Sequence, residues 1–420
     1  MITDSKRLSG ACACGREHTM TTEFCVIESG AMRGFADYAK EHGLHGKSAA
    51  IYDENTYRAA EDRRPKADCE IILPPDGLHA DEHGVAMALE RIPKDTDYLV
   101  AVGSGTVHDI TRYSAYKLGI PFASCPTAAS VDGFCSSVAA MTWYGFKKTF
   151  TAVSPKIVVA ELDIISKAPA RLTASGVGDM IGKYIALAEW RIGNILTGEY
   201  LCESIYRMTL DAAKEVTAAA EDLAKGETHA YEKLMYGLVL SGLAMQLLGN
   251  SRCASGAEHH ISHLIEMRPD GLGASSDALH GEKVGVGTLI ASKVYHGLSE
   301  TSPKWHDCRR PGDDYIAAFF GERLAEAIIT ENKSDACAGI TAELIESKWS
   351  EIREVVGEIP TVAELLPLCS RLGMKSSLED IGVPSEKLPL ICEYSPLVRN
   401  RLTLMRLRNE ACEGMGMYFS

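Results

Sequence analysis

Long apolar runs are missing from this 420-residue chain. The longest fall short of the roughly 18–20 residues a membrane-crossing helix requires, so no membrane insertion is expected. A basic surplus is missing too: 57 Asp and Glu against 43 Lys and Arg leave a formal charge of −14. Nucleic acid and anionic membrane surfaces need a basic footprint, which excludes them as main partners. A small anionic molecule stays open, because a pocket can be positive on an acidic protein. The opening MITDSKRLSGACACGREH lacks an apolar core, so no secretory signal is expected. The thirteen cysteines are odd in number and scattered from Cys12 to Cys412. They indicate reduced thiols and a cytoplasmic protein rather than a disulfide framework. Cys12, Cys14 and His18 supply three metal donors, but no second cysteine pair accompanies them, and no site is assigned there.

The apolar content of 46% and charged content of 24% are those of a globular protein, and the length suits two domains. Up to about residue 170, β-rich runs alternate with helical stretches. EFCVIES (23–29), KSAAIYD (47–53), DCEIILP (68–74), DYLVAVG (97–103) and PFASCP (121–126) read as strands. Such alternation implies right-handed crossovers and a parallel sheet covered on both faces. A hairpin turning at Tyr144-Gly145 and a further strand in KIVVAELDII follow. From Leu172 onward helical patterns take over, at 172–196, 200–224, 229–249, 280–297, 313–330, 333–354 and 385–410, with Thr173 able to cap the first. The expected architecture is an α/β Rossmann-like domain (1–170) with a parallel sheet, then an all-α helical domain (171–420).

In LVAVGSGTVHD a strand runs through a tight glycine turn into a helix. Glycines let backbone N–H groups approach a diphosphate, and the helix N-terminus adds positive potential. Gly103, Ser104, Gly105, Thr106 and Asp109 are the cofactor candidates here, although any β–α turn needing positive φ would also explain the glycines. Thr127 and Ser130, in the small-residue loop after the next strand, could line the same crevice. Asp53, after the second strand, either accepts hydrogen bonds from an adenosine ribose diol or is a solvated strand-end acid. The first role would favour NAD over NADP.

Asp179, His259 and His280 form a scattered trio of one carboxylate and two imidazoles. A catalytic metal typically keeps three protein ligands and one open position, so these types suit a divalent cation. Asp179 shares a helix face with Lys183, and His259 shares one with His263. Each could instead be a surface ion pair or a packed histidine. Gly176, Gly178 and Gly182 around Asp179 suggest close approach by backbone or ligand.

Taken together, these blocks resemble the glycerol-1-phosphate dehydrogenases of the iron-containing alcohol dehydrogenase and dehydroquinate synthase-like superfamily. The resemblance runs through CACGREH (12–18), GSGTVHDITRY (103–113), PTAASVDGF (126–134), GFKKTF (145–150), TASGVGDMIGKY (173–184), SGAEHHISH (255–263) and HGEKVGVGT (280–288). It implies a dehydroquinate synthase-like fold and metal ligation by Asp179, His259 and His280. It also implies NAD or NADP, one zinc or nickel ion, and a small phosphorylated polyol or ketone as substrate. Ser104 stands where the superfamily usually has a middle glycine. Lys183 stands where its four-ligand alcohol dehydrogenases carry a further histidine, leaving a three-ligand site. Asp132 would hold a substrate hydroxyl. Lys147, Lys148, Lys183 and His263 are the candidates for anchoring phosphate, and Asp132, Lys183 and His263 are the candidates for catalysis. The expected reaction is NAD(P)H-linked reduction of dihydroxyacetone phosphate to sn-glycerol 1-phosphate by a homodimer. A glycerol dehydrogenase-like polyol oxidoreductase, a dehydroquinate synthase-like cyclase and a non-catalytic metal and nucleotide sensor are the alternatives.

Overall fold

The structure is a computed structural model that describes residues 2–4, 8–144 and 146–413, with side chains for 8–144 and 150–413. Its strands are β1 (Ile2–Asp4), β2 (Gly10–Ala11), β3 (Glu17–His18), β4 (Phe24–Glu28), β5 (Ser48–Asp53), β6 (Cys69–Leu73), β7 (Tyr98–Gly103), β8 (Phe122–Pro126), β9 (Val138–Trp143), β10 (Phe146–Thr151) and β11 (Ile157–Glu161). Its helices begin with α1 (Phe35–Glu41), α2 (Glu54–Ala60), α3 (Glu82–Arg91), α4 (Gly105–Leu118), α5 (Leu162–Ile165), α6 (Ala170–Thr197), α7 (Glu203–Ala218), α8 (Ala220–Ala224) and α9 (Thr228–Leu248). The rest are α10 (Ala257–Met267), α11 (His280–Ser299), α12 (Asp313–Glu331), α13 (Ala342–Gly357), α14 (Val362–Leu372), α15 (Leu388–Tyr394) and α16 (Leu404–Ala411).

The chain groups into two compact units, and neither is one continuous stretch: Met1–Met180 with Arg207–Asn250, and Ile181–Tyr206 with Ser251–Ser420. A single cut near residue 170 is therefore not how contacts divide it, since α8, α9 and most of α7 group with the α/β unit. Thirteen residues of α9 are buried, and a helix this apolar all round belongs inside a core.

In the first unit one seven-stranded sheet has the order β1-β4-β11-β8-β7-β5-β6. Six of the strands run parallel, and β1 joins β4 antiparallel at the edge. Every residue of β7, β8 and β11 is buried, which fits their largely apolar sequences and helices on both sheet faces. Gly103 pairs with Pro126, so β7 and β8 end side by side. The expected hairpin is present as β9 and β10, paired antiparallel in their own small sheet.

The second unit is helical around a core of Ile185, Ile192, Tyr295, Ile352, Leu404 and Leu407, among others. Three helical expectations need correction. α6 begins at Ala170, so Thr173 lies inside it rather than at its N-cap. The helix expected from 333 starts at Ala342, where Thr341 caps it by accepting from the Leu344 amide. The stretch 385–410 is broken by a 3-10 turn with Pro396 in its first positions, and α16 restarts under a Thr403 cap.

Candidate active site

The glycine turn lies where β7 becomes α4. Ser104 takes the N-cap position in an extended conformation without capping through its side chain, so that side chain leaves the first-turn amides for another acceptor. Gly103 fits tightly, because a Cβ there would lie 2.6 Å from Val107 Cβ. His108, which the sequence reading passed over, holds this turn. It is fully buried, with Nδ1 2.9 Å from the Ser104 carbonyl and Nε2 2.8 Å from Ser124 Oγ. Burial pushes its pKa down to about 3, so the ring is neutral, donating from Nδ1 and accepting at Nε2. The Thr127 amide donates to the Gly103 carbonyl at 3.0 Å, which brings the loop after β8 beside the turn. Thr127 and Ser130 are both buried, and Ser175 of α6 donates to the Ser130 carbonyl. Asp109 pairs with the buried Arg112, whose guanidinium also donates to the carbonyls of Gly133 and Phe134. Asp53 caps α2, accepting from the Thr56 amide at 2.8 Å.

His259 and His280 come together in the second unit, ring centroids 5.3 Å apart, and Asp179 is buried in the first. α6 supplies the carboxylate, α10 supplies His259, and His280 is the first residue of α11. The surroundings suit a cation. Asp179 Oδ2 accepts from the Asp132 amide at 3.0 Å. His259 Nδ1 lies 2.7 Å from Oε1 of the buried Glu258, so Nδ1 carries the proton and Nε2 offers the lone pair. His280 Nδ1 lies 3.3 Å from Glu266 Oε1, which Lys283 also reaches at 3.0 Å. A carboxylate behind each imidazole is the usual support of metal-bound histidines, fixing tautomer and raising basicity. The His280 side chain keeps 30% exposure, which fits a site with an open position. Glu258 and Glu266 were not singled out from sequence, although Glu258 directly precedes His259.

The glycines near the trio have packing reasons. A Cβ on Gly176 would stand 2.1 Å from the Ala129 carbonyl oxygen, and one on Gly287 would stand 2.5 Å from that of Glu258. The first pins α6 to the loop carrying Thr127 and Ser130; the second sets α11 tightly against α10.

The Asp132 amide donates a hydrogen bond to Asp179, and its own carboxylate accepts from Ser241 at 2.8 Å. Lys183 is fully buried and donates to the Ala254 carbonyl at 3.1 Å. His263 rings the site with its two neighbours, centroids 6.0 Å from His259 and 6.1 Å from His280, and burial holds its pKa well below the ordinary range. Lys147 and Lys148 lie in β10, and their side chains fall outside the described residues.

A family model for iron-containing alcohol dehydrogenase matches residues 26–169. A glycerol-1-phosphate dehydrogenase [NAD(P)+] from Bacillus licheniformis is 32% identical, across 98% of this chain and 94% of its own length. One from Bacillus subtilis is 37% identical, across 92% and 91%. Among solved structures, a probable glycerol dehydrogenase from Sinorhizobium meliloti superposes with a TM-score of 0.57 at 18% identity, covering 91% of each chain. Sulfoacetaldehyde reductase from Bifidobacterium kashiwanohense, in complex with NAD+, also gives 0.57 at 15% identity, covering 93% and 97%. These structures share the fold, while the sequence relatives match nearly end to end and set the finer assignment: the chain belongs to the glycerol-1-phosphate dehydrogenase [NAD(P)+] family, among the iron-containing alcohol dehydrogenases.

Proposed function

We propose that this protein catalyses the metal-dependent, NAD(P)H-linked reduction of dihydroxyacetone phosphate to sn-glycerol 1-phosphate. The observation that carries the reading is the pairing of His259 with His280, each ring backed by a carboxylate, in a chain of this family, with Asp179 as the third ligand. Asp179 and the two imidazoles hold the cation, zinc or nickel, while Glu258 and Glu266 fix the rings. A divalent cation at such a site polarises a carbonyl oxygen, and a nicotinamide cofactor supplies hydride. The amides of the β7–α4 turn receive the diphosphate, with Thr127 and Ser130 alongside. Asp132, fastened by Asp179 and Ser241, accepts a hydrogen bond from a substrate hydroxyl. Lys147, Lys148, Lys183 and His263 are carried as phosphate anchors. Lys183 is the least accessible of those with described side chains, since its ammonium is buried against Ala254. Among the described residues no helix is long and apolar enough to cross a membrane. A homodimer in the cytoplasm completes the reading.

NADH oxidation with dihydroxyacetone phosphate, after metal stripping and readdition of zinc or nickel, tests it. Turnover should vanish with chelator and return with metal. Equal turnover with unphosphorylated dihydroxyacetone would favour the polyol oxidoreductase instead.

A further inference from the structure

α10 begins at Ala257, two residues before His259, and its cap is bare: Gly256 takes the N-cap position and offers no side chain to the first-turn amides. The missing acceptor comes from another helix. Glu189, in the stretch of α6 that belongs to the second unit, accepts at Oε2 from the Ala257 amide at 2.9 Å. Its other oxygen accepts from the Leu404 amide at 3.2 Å and from the Tyr295 hydroxyl, which itself accepts from the Met405 amide at 3.2 Å. Glu189, Tyr295 and Glu258 are all fully buried. One carboxyl group thus ties the head of α10 to α11 and α16, and all of these residues lie in the same unit.

Gly256 shows how closely the parts fit. Its amide donates to Glu258 Oε1 at 2.8 Å, the oxygen that also holds His259 Nδ1. A Cβ on Gly256 would stand 2.5 Å from Glu189 Oε2 and 2.9 Å from Glu258 Oε2. The chain therefore passes between two buried carboxyl groups, one closing the helix and one backing the histidine. Burial, reinforced by the Glu258 charge, lifts the Glu189 pKa to about 8. Glu189 is then largely neutral at pH 7 and still accepts through its carbonyl oxygen, while the negative charge rests on Glu258 behind the imidazole. Helix ends fray, and His259 is only the third residue of α10. What closes the first turn also sets the direction of that ring.

We propose that Glu189 is a positioning residue for His259: by closing the first turn of α10 it holds the imidazole in place beside His280 before any cation binds. The inference rests on the metal-dependent reading above. Glu189 acts through the Ala257 amide and touches neither histidine.

The experiment titrates metal-free, full-length protein with nickel in a calorimeter. Glu189→Ala leaves the Ala257 amide without its acceptor and should weaken nickel binding about tenfold or more, as loss of supporting partners does. Glu189→Gln keeps an oxygen for that amide and should recover affinity to within about fivefold of wild type, the worth of one ordinary hydrogen bond. At saturating cobalt the ligand-field absorption of the Ala variant should shift, while that of the Gln variant should match wild type; a loss of stability alone moves neither reading. Tyr295→Phe keeps the ring and removes the hydroxyl that steadies Glu189, so it probes the same chain of contacts with a milder change. It should weaken nickel binding about threefold or more. Wild-type affinity in folded Glu189→Ala, or in Tyr295→Phe, would overturn the inference and leave the metal reading standing. Wild-type protein that takes up no nickel would overturn the metal reading, and this inference with it.

Discussion

Glu258→Gln is the substitution that tests most directly whether the carboxylate behind His259 supports a metal. Glu258 is fully buried, and its Oε1 accepts both from the Gly256 amide at 2.8 Å and from His259 Nδ1 at 2.7 Å. Glutamine keeps the shape and one acceptor oxygen but removes the charge. A charge-assisted hydrogen bond contributes about 1.5–3 kcal/mol and a neutral one about 1, so the support lost is about 1–2 kcal/mol. Replacing such outer partners typically costs about 10–100-fold in metal affinity or activity, in line with that figure. The stripped variant should therefore bind zinc or nickel about tenfold or more weakly than stripped wild type, measured by calorimetric titration. Turnover at saturating metal should fall far less than affinity, because the variant still presents the same three ligands. Affinity within twofold of wild type would refute the reasoning, leaving Glu258 as a packing residue only.

Other outcomes follow from single contacts. Gly176→Ala places a Cβ against the Ala129 carbonyl and should lower stability by about 1–3 kcal/mol in urea unfolding, the usual cost of overpacking. Asp53→Asn keeps a good helix cap while removing the charge, so its melting temperature should hold and its NADP preference should rise relative to NAD. An unchanged cofactor ratio would take Asp53 out of the cofactor site. Burial lifts the Glu410 carboxyl to about 7, so folding favours its protonated form. That contribution is complete below about pH 4.5 and is lost as pH rises through 7, about 3 kcal/mol at most. Glu410→Gln should thus match wild type near pH 5 and exceed it in stability near pH 8, read by denaturant titration.

The sheet was legible because most of its parallel strands are short, largely apolar runs between turn residues, a pattern buried strands write directly. The trio was legible by residue type, and its gathering depended on family resemblance rather than on spacing. β2 and β3 are too short to show periodicity at all. Grouping α9 with the sheet was equally hidden, because an all-round apolar helix declares that it is buried but not against what. The late helices were misplaced for a plainer reason: the apolar period carries past Thr341 and Pro396, and caps and proline, not periodicity, decide where those helices stop.

The tight seat of Gly287 on the Glu258 backbone reaches beyond packing. It sets α11 against α10 and so places His259 and His280 with ring centroids 5.3 Å apart before any cation arrives. For a cation proposed there, the two imidazoles would act as a preset chelate: the entropy of bringing them together is lost during folding, not during metal capture. An enzyme built this way can be emptied and refilled without refolding. Which divalent ion it carries is then governed by what the surroundings supply as much as by the ligands themselves.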